Sequence, residues 1–299
     1  GMVPDCVFDE GLVERMGYPV DASVTKPPVA GWCLWRVYEA TQDTDFLDEM
    51  YEPLTRWQRW WLERCDRDGD GVCQYDHPFS SGLDDSPLWD RGMPVESPDL
   101  NSYLCLQAES LGQMAATLSL PEEAARWRAQ ADQLAASLLQ HLYDPKARVF
   151  WAQRMTEEGH ERVPVLAAVS LFPLLTGRMP EDVRASLVDR LEDPESFWTP
   201  YPVPTVARSD PTYDPDRMWR GPVWVNVNYL LIDALLRCGY PDRARELCDR
   251  TLDMVAAFPD IREYYHPETG RPGTQAAPAF GWSAALYVDL AIRRSRGEI

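Results

Sequence analysis

The spacing of apolar residues is the feature that most constrains the fold. In segment after segment of the 299-residue chain they recur at the helical period, whereas strand-like alternation is rare and short. The spacing predicts an all-α protein. The predicted helices cover residues 29–41, 45–65, 99–118, 121–142, 164–176, 181–191, 222–238, 241–258 and 282–294.

The predicted helices are of two kinds. Segment 222–238 is apolar on nearly every side, whereas segment 241–258 carries charged residues along one face. A buried inner helix followed by a solvated outer helix fits this contrast, and its repetition predicts a barrel of helical hairpins. The sequence shows no short fixed repeat, which argues against a tetratricopeptide-type array. Pro222, directly after Gly221, is expected in the first turn of its helix.

Composition and charge indicate which partners and which compartment are to be expected. The formal charge is −19, and Lys26 and Lys146 are the only lysines, so nucleic acid and anionic membrane partners are not expected. No apolar run reaches the ~18 residues that span a bilayer, and no signal-peptide pattern opens the chain. The seven cysteines lack zinc-site spacing and predict free thiols in a reducing compartment, the cytoplasm.

Three long segments, 66–98, 196–221 and 259–281, are rich in Trp, Tyr, Pro, Gly and Asp. Loops of this length are usually functional, and we expect them to gather at one end of the barrel. Two of them carry the candidate acids, Asp84 in Ser-Gly-Leu-Asp-Asp-Ser-Pro and Glu263 in Arg-Glu-Tyr-Tyr-His-Pro. Two carboxyl groups suffice to hydrolyse a glycosidic bond without a metal or organic cofactor. The alternatives are a turn aspartate and a solvated loop glutamate.

Five stretches, in this order, resemble glycoside hydrolase family 63 and its bacterial relatives that cleave mannosylglycerate or glucosylglycerate. They are Lys-Pro-Pro-Val-Ala-Gly-Trp at 26–32, Ser-Gly-Leu-Asp-Asp-Ser-Pro at 81–87, Trp-Arg-Gly-Pro-Val-Trp-Val-Asn at 219–226, Glu-Tyr-Tyr-His-Pro-Glu-Thr-Gly at 263–270 and Phe-Gly-Trp-Ser-Ala at 280–284. The resemblance implies an (α/α)6 barrel and an inverting mechanism with Asp84 as general acid and Glu263 as general base. Inversion requires carboxyl groups ~6.5–9.5 Å apart. Asp84 must then stay protonated near neutral pH, through partial burial or a negative neighbour such as Asp85.

The resemblance further implies one catalytic domain over residues 1–299, acting on a small α-glucoside or α-mannoside. A full barrel has twelve helices, three more than predicted, so either its first hairpins lie outside this sequence or a further helix lies around residues 10–16. Gly1 before Met2 resembles a tag remnant. The expected substrate-binding residues are Trp32, His77, Asp85, Trp89, Asn101, Trp219, Arg220, Trp224, Tyr264, Tyr265, His266 and Trp282.

Aromatic faces pack on the apolar face of a pyranose, and arginine donates to hydroxyl groups or a carboxylate. Core packing is the alternative for each of these aromatics. One departure from the family pattern stands beside the proposed acid. Relatives often carry Trp-Glu before Ser-Gly-Leu-Asp, where this chain has Phe79 and Ser80, which leaves the sugar and the tuning of Asp84 open.

Asp-Arg-Asp-Gly-Asp-Gly at residues 66–71 resembles the start of a calcium loop, but His77 occupies the twelfth position in place of glutamate. A tight turn is therefore the preferred interpretation. The four histidines lack metal-ligand spacing, and we expect His141 and His160 at the surface. The sequence thus predicts no metal site.

Other functions fit less well. Barrel-shaped epimerases use paired histidines, and lyases use basic residues around uronates. The sequence shows neither paired histidines nor such a set of basic residues. A non-catalytic carbohydrate-binding relative would keep the aromatic residues and tolerate loss of either carboxylate, although both are present. A helical-repeat scaffold would form an open solenoid and would not need the long aromatic loops.

Overall fold

A computed structural model of the protein describes residues 1–5 and 24–299. Cys6 and the helix expected around residues 10–16 lie outside the described residues. The described α-helices are α1 Ala30–Thr41, α2 Thr44–Arg64, α3 Pro78–Ser81, α4 Pro98–Thr117, α5 Pro121–Leu142, α6 Glu181–Leu191, α7 Val225–Arg237, α8 Pro241–Ala256 and α9 Gly281–Ser295. Two 3₁₀ helices span Pro87–Trp89 and Ala168–Thr176. The prediction of a mainly helical protein is confirmed.

Two helix predictions differ from the structure. The segment predicted as 164–176 is a 3₁₀ helix that begins at Ala168 and contains Pro173, which lacks the N–H that an α-helix would need. The helix predicted from Pro222 begins at Val225. The backbone of Pro222 and Val223 is used elsewhere, since Pro222 O accepts from Thr205 N at 3.2 Å and Val223 forms an antiparallel bridge. The placement of Pro222 in the first helical turn is therefore wrong.

Short strands accompany the helices. They are β1 Gln74–Tyr75, β2 Val95–Glu96, β3 Tyr143–Asp144, β4 Val149–Phe150, β5 Gln153–Thr156 and β6 Gly159–Arg162. Four of them form one sheet in the order β1-β2-β5-β6, and β3 pairs with β4. In the larger sheet Glu96 lies opposite Gln74 on one side and Gln153 on the other. The sequence did not predict this sheet, because its strands are too short to show a period.

The chain forms two compact units. The first comprises Gly1–Asp84, Gly92–His141 and Gln153–Glu161, and the second comprises Asp85–Arg91, Leu142–Ala152 and Arg162–Ile299. In the first unit α4 is buried on nearly every side and contacts α1 and α2. A Cβ at Gly31 of α1 would lie 3.0 Å from the Gln107 side chain of α4, so glycine permits this close approach.

In the second unit α7 is buried from Val227 through Leu235 and contacts α8, α9 and the 3₁₀ helix Ala168–Thr176. Helix α8 buries one stripe, which includes Leu247, Thr251 and Met254, and exposes its charged face. The predicted contrast between an apolar helix and an amphipathic helix is confirmed here.

Cys33, Cys65, Cys73, Cys105, Cys238 and Cys248 are all free thiols, as predicted for these six. Among the helices that the structure describes, none combines the length and the apolar character needed to cross a membrane.

Candidate active site

The loop that carries Asp84 is built by short-range contacts. His77 caps the short helix α3, because its Nδ1 accepts a hydrogen bond from Phe79 N at 3.1 Å. The Ser81 hydroxyl donates to the Pro78 carbonyl at 2.6 Å. Gly82 then ends the helix with φ of 71°, a left-handed conformation that glycine adopts without strain. Asp84 follows two residues later.

The segment around residue 25 anchors this loop. Lys26 Nζ donates to the Phe79 carbonyl at 2.7 Å and forms an ion pair with Asp5 at 3.3 Å. Thr25 N donates to Ser80 Oγ at 3.3 Å. Asp84 is half-buried, and its Oδ1 is shielded from solvent. Partial burial and a negative neighbour are the two factors that could keep the Asp84 carboxyl group protonated, and the structure shows the first of them.

The segment that carries Glu263 is held by residues distant in the chain. Tyr265 exchanges two backbone hydrogen bonds with Val223, at 2.8 and 2.9 Å. The Tyr264 carbonyl accepts from Gly273 N at 3.0 Å, and a Cβ at Gly273 would lie 2.1 Å from the Tyr264 ring. Glu263 is half-buried, and its Oε2 accepts from Ala277 N at 3.2 Å. Within the described part of the chain, the carboxyl group is therefore oriented by a backbone N–H and forms no ion pair with a basic side chain.

The second unit contains an aromatic cluster that includes Tyr264, the sequence neighbour of Glu263. The rings of Trp219 and Trp224 stack at 3.6 Å, and Trp224 lies 5.3 Å from Tyr264 and 6.2 Å from Trp282. Trp219, Trp224 and Tyr264 are only 3%, 2% and 1% exposed, whereas Trp282 is 47% exposed. The burial of the first three favours core packing, the alternative that the sequence left open, whereas Trp282 has an accessible face.

Arg220 is held by acidic residues. Its guanidinium donates to both carboxylate oxygens of Asp90, at 2.9 and 2.6 Å, and to the Asp85 carbonyl at 3.1 Å. The hydrogen bonds from Arg220 lower the pKa of Asp90. Asp85 in turn accepts from Trp219 N at 3.0 Å and from Arg217 Nε at 3.1 Å. The sequence suggested that the negative charge of Asp85 could keep Asp84 protonated. Arg217 partly neutralises that charge by pairing with Asp85.

The pKa of the Tyr264 hydroxyl group is raised by burial and by carboxylates of the second unit. These carboxylates are those of Glu263, Asp85 and Asp216. The second unit therefore brings together Glu263, Asp85 and the aromatic cluster. Asp90, Arg217 and Phe280 were missed by the sequence analysis, because each acts through partners that are remote in the chain or, for Phe280, through ring packing that has no sequence signal.

Three further candidates, Asn101, Trp89 and Tyr265, are buried in the protein. The buried Asn101 amide accepts from Cys73 N at 2.8 Å and donates to the carbonyls of Cys73 and Ser97, each at 3.0 Å. Trp89 is 7% exposed, and Tyr265 is completely buried. Their burial and the Asn101 hydrogen bonds favour a structural role, and we leave these positions out of the substrate contacts proposed below.

Trp32, His77 and His266 are half-buried and keep accessible surface. Trp32 lies on α1, with the Arg36 guanidinium 5.3 Å from its ring centre. The Nδ1 of His266 accepts from Glu268 N at 3.1 Å, as the Nδ1 of His77 does from Phe79 N. Both imidazoles are thus fixed through Nδ1.

The segment 66–71 is a tight turn at the end of α2, as predicted. The two carboxylate oxygens of Asp66 accept from Gly69 N at 2.9 Å and from Gly71 N at 3.2 Å. Gly69 and Gly71 have φ of 76° and 86°, a region that favours glycine. His77 caps α3 and contributes nothing to this turn.

The comparisons with known proteins agree on one family. A family model described as the mannosylglycerate hydrolase MGH1-like glycoside hydrolase domain matches residues 1–283. Mannosylglycerate hydrolase of Thermus thermophilus is 25% identical, over 96% of this chain and 84% of that protein. Glucosylglycerate hydrolase of Mycolicibacterium hassiacum is 26% identical, over 97% of this chain and 83% of that protein.

A solved structure has the same fold. The crystal structure of a GH63 mannosylglycerate hydrolase from Thermus thermophilus, in complex with Tris, superimposes with a TM-score of 0.83. The alignment covers 98% of this chain and 84% of that chain, with 23% sequence identity. At 23% identity the superposition shows that the two chains share a fold and does not by itself show a shared function.

Proposed function

We propose, from the premise that the chain belongs to the family of mannosylglycerate hydrolase MGH1-like glycoside hydrolase domains, that it is an inverting glycosidase for a small α-mannoside or α-glucoside. Mannosylglycerate and glucosylglycerate are the first candidate substrates, since the matched relatives are named for hydrolysing them. The observation that carries the proposal is the family match, which extends over residues 1–283.

The finer architecture is part of the same proposal. The superimposed mannosylglycerate hydrolase structure, which covers 98% of the chain, and the mainly helical content of the protein support an (α/α)6 fold. That residues 1–299 form one catalytic domain stays a prediction, as does the gathering of the three long loops on one face. The alternation of the buried α7 with the amphipathic α8 is the local pattern that such a fold requires.

In the proposed mechanism Asp84 donates its proton to the glycosidic oxygen as the bond to the anomeric carbon breaks. Glu263 takes a proton from a water molecule, whose oxygen attacks the anomeric carbon from the opposite face. The product sugar therefore has the inverted configuration, and each turnover leaves one proton to be returned from Glu263 to Asp84 through solvent. The shielding of Asp84 Oδ1 and the fixed orientation of Glu263 support these roles.

The substrate contacts follow from which side chains are accessible. Trp282, the exposed member of the aromatic cluster, is the proposed platform for the sugar ring. A carboxylate in the leaving group needs a cation. Arg220 already makes a two-point pair with Asp90, whereas Arg217 has a 60% exposed side chain and a single carboxylate partner among its described ion pairs. We therefore place Arg217 ahead of Arg220 for that role.

The test is incubation of the full chain with α-mannosides and α-glucosides, including mannosylglycerate and glucosylglycerate, while ¹H NMR follows the anomeric protons. The expected result is hydrolysis in which the β-anomer of the free sugar appears first. First appearance of the α-anomer would contradict inversion. Saturable binding of the same compounds without any turnover would favour the non-catalytic carbohydrate-binding relative instead.

A further inference from the structure

A cluster of potential metal ligands lies in the first unit, apart from the residues discussed above as candidate acid and base. Asp68 and Asp70 belong to the turn after α2, Glu96 to β2 and His160 to β6. One ligand atom from each lies within 4.8 Å of all the others. His160 Nε2 is 3.1 Å from Asp68 Oδ2 and 3.3 Å from Glu96 Oε1. His160 lies at the surface, as predicted, but its imidazole faces carboxylates, which the sequence did not indicate.

The environment of Glu96 is a second, independent indication of a cation site. Its side chain is completely buried, and neither carboxylate oxygen accepts a hydrogen bond from the described residues. Its strand position is fixed, since Glu96 pairs with Gln74 and Gln153 on both sides of β2. A buried carboxylate without hydrogen-bond donors is costly unless a cation compensates its charge.

The nearby arginines are engaged elsewhere. Arg67 pairs with Asp76 at 2.8 Å, and Arg154 pairs with Glu161 at 2.8 Å. Asp68 and Asp70 lie in the same cluster as Glu96, so the charged groups nearest to Glu96 are other acids, with His160 as the adjacent basic group.

We propose that Asp68, Asp70, Glu96 and His160 bind a first-row divalent transition metal, Mn²⁺ or Zn²⁺. Three carboxylate oxygens with one imidazole nitrogen suit these ions better than Ca²⁺, which takes oxygen ligands. Donor atoms on opposite sides of such an ion lie about 4.2 Å apart, given bonds of about 2.1 Å. Since all four ligand atoms lie within 4.8 Å of one another, binding requires only a small contraction of the cluster.

The surrounding contacts orient the ligands. Asp66 uses both carboxylate oxygens on Gly69 N and Gly71 N, so it shapes the turn that presents Asp68 and Asp70. His141 Nδ1 lies 3.2 Å from Asp70 Oδ2, and Asp70 Oδ1 accepts from Val72 N at 2.8 Å. The bound ion would tie the turn after α2 to β2 and β6, which is a structural role.

The test is calorimetric titration of the metal-free full chain with MnCl₂ and with ZnCl₂, with CaCl₂ and MgCl₂ as comparisons. The expected result is one site for Mn²⁺ or Zn²⁺ and a melting temperature that rises with the concentration of that ion. The EPR spectrum of bound Mn²⁺ would report its coordination. Failure of both Mn²⁺ and Zn²⁺ to bind would overturn the proposal.

Variants locate the site. Glu96→Gln and His160→Gln should each weaken binding by about tenfold or more, since even outer-shell partners have effects of that size. Glu122→Gln is the matched control, because Glu122 has an 88% exposed side chain on α5 and pairs only loosely with Arg126, at 3.8 Å. It should bind the ion like the wild type. Asp68→Asn replaces Glu96→Gln if the latter does not fold.

Equal weakening in Glu122→Gln would place binding outside the cluster and overturn the proposal. Unchanged affinity in His160→Gln, together with tighter binding of Ca²⁺ than of Mn²⁺ and Zn²⁺, would overturn the ligand set. Hydrolysis assays do not enter this test, so the metal site and the proposed glycosidase activity can fail independently.

Discussion

The two compact units hold buried acidic residues in different ways, as Asp99 and Asp233 illustrate. Asp99, in the first unit, is 1% exposed and accepts hydrogen bonds from the hydroxyl groups of Ser97 and Tyr75. Burial raises the pKa of Asp99 to about 6. Asp233, in the second unit, is 7% exposed but accepts from the Arg293 guanidinium at 2.7 Å.

The same contrast applies to other acids. In the first unit burial and neighbouring acids raise the pKa of Glu96, whereas in the second unit Arg220 lowers the pKa of Asp90. The protonation of these two acids therefore depends on whether burial or a paired arginine has the larger effect.

The largest expected effect is on catalysis. Asp84→Asn and Glu263→Gln should each lower kcat by about 10²–10⁴-fold, the usual contribution of a general acid or base, while the far-UV CD spectrum stays unchanged. Turnover is measured on the glycoside that the wild type cleaves. A wild-type rate in either variant would refute the assignment of that residue.

A glycosyl fluoride distinguishes the two roles, because fluoride leaves with little help from a proton donor. On the α-glycosyl fluoride of the same sugar, Asp84→Asn should recover most of its rate, whereas Glu263→Gln should stay slow. Recovery in both variants, or in neither, would contradict the division into one acid and one base.

The buried ion pair of the second unit gives the largest expected effect on stability. Asp233→Asn removes the carboxylate that accepts from the buried Arg293 guanidinium and leaves Asp289, 3.9 Å away, as the other described ion-pair partner. The free energy of unfolding should therefore fall by about 3 kcal/mol, the lower end of the range for breaking a buried pair. Urea denaturation followed by fluorescence measures this. Asp249→Asn is the control, since Asp249 and its partner Arg294 are both partly exposed, and it should cost much less.

The first unit should instead respond to pH. The folded-state pKa of Asp99 lies above its unfolded value, so its contribution to stability is fully present below the unfolded pKa of about 4 and is lost as the pH rises through about 6. Between pH 4 and pH 7 the stability of the wild type relative to Asp99→Asn should fall by about 2–3 kcal/mol. Urea denaturation across this range checks it, and a pH-independent difference would contradict the raised pKa.

Asp90 should give the smallest effect, with the opposite sign. Its folded-state pKa is lowered by Arg220, so the pair stabilises the fold above the ordinary aspartate pKa and loses that contribution as the pH falls through the folded value. Because the Asp90 side chain is 52% exposed, solvent screening should limit the loss in Asp90→Asn to about 1 kcal/mol or less at neutral pH. Comparison with the wild type at pH 7 and pH 3 measures the change.

The sequence by itself predicted where the longer helices lie. Every predicted segment contains a helix, because the hydrogen bonds of a helix join residues four apart and its buried face leaves a period that one segment displays. The tight turn at residues 66–71 was predictable for the same reason, since Asp66 bonds to residues three and five positions on. The family resemblance rested on five local stretches.

The tertiary structure decided which side chains are accessible and which are paired. Trp219 and Trp282 have equal claims as sugar platforms in the sequence, yet packing buries the first and exposes the second. Arg220 meets Asp90, and Glu96 meets His160, only after distant segments come together. Such pairs leave no spacing in the chain, because their contact depends on the packing of whole elements rather than on neighbours in sequence.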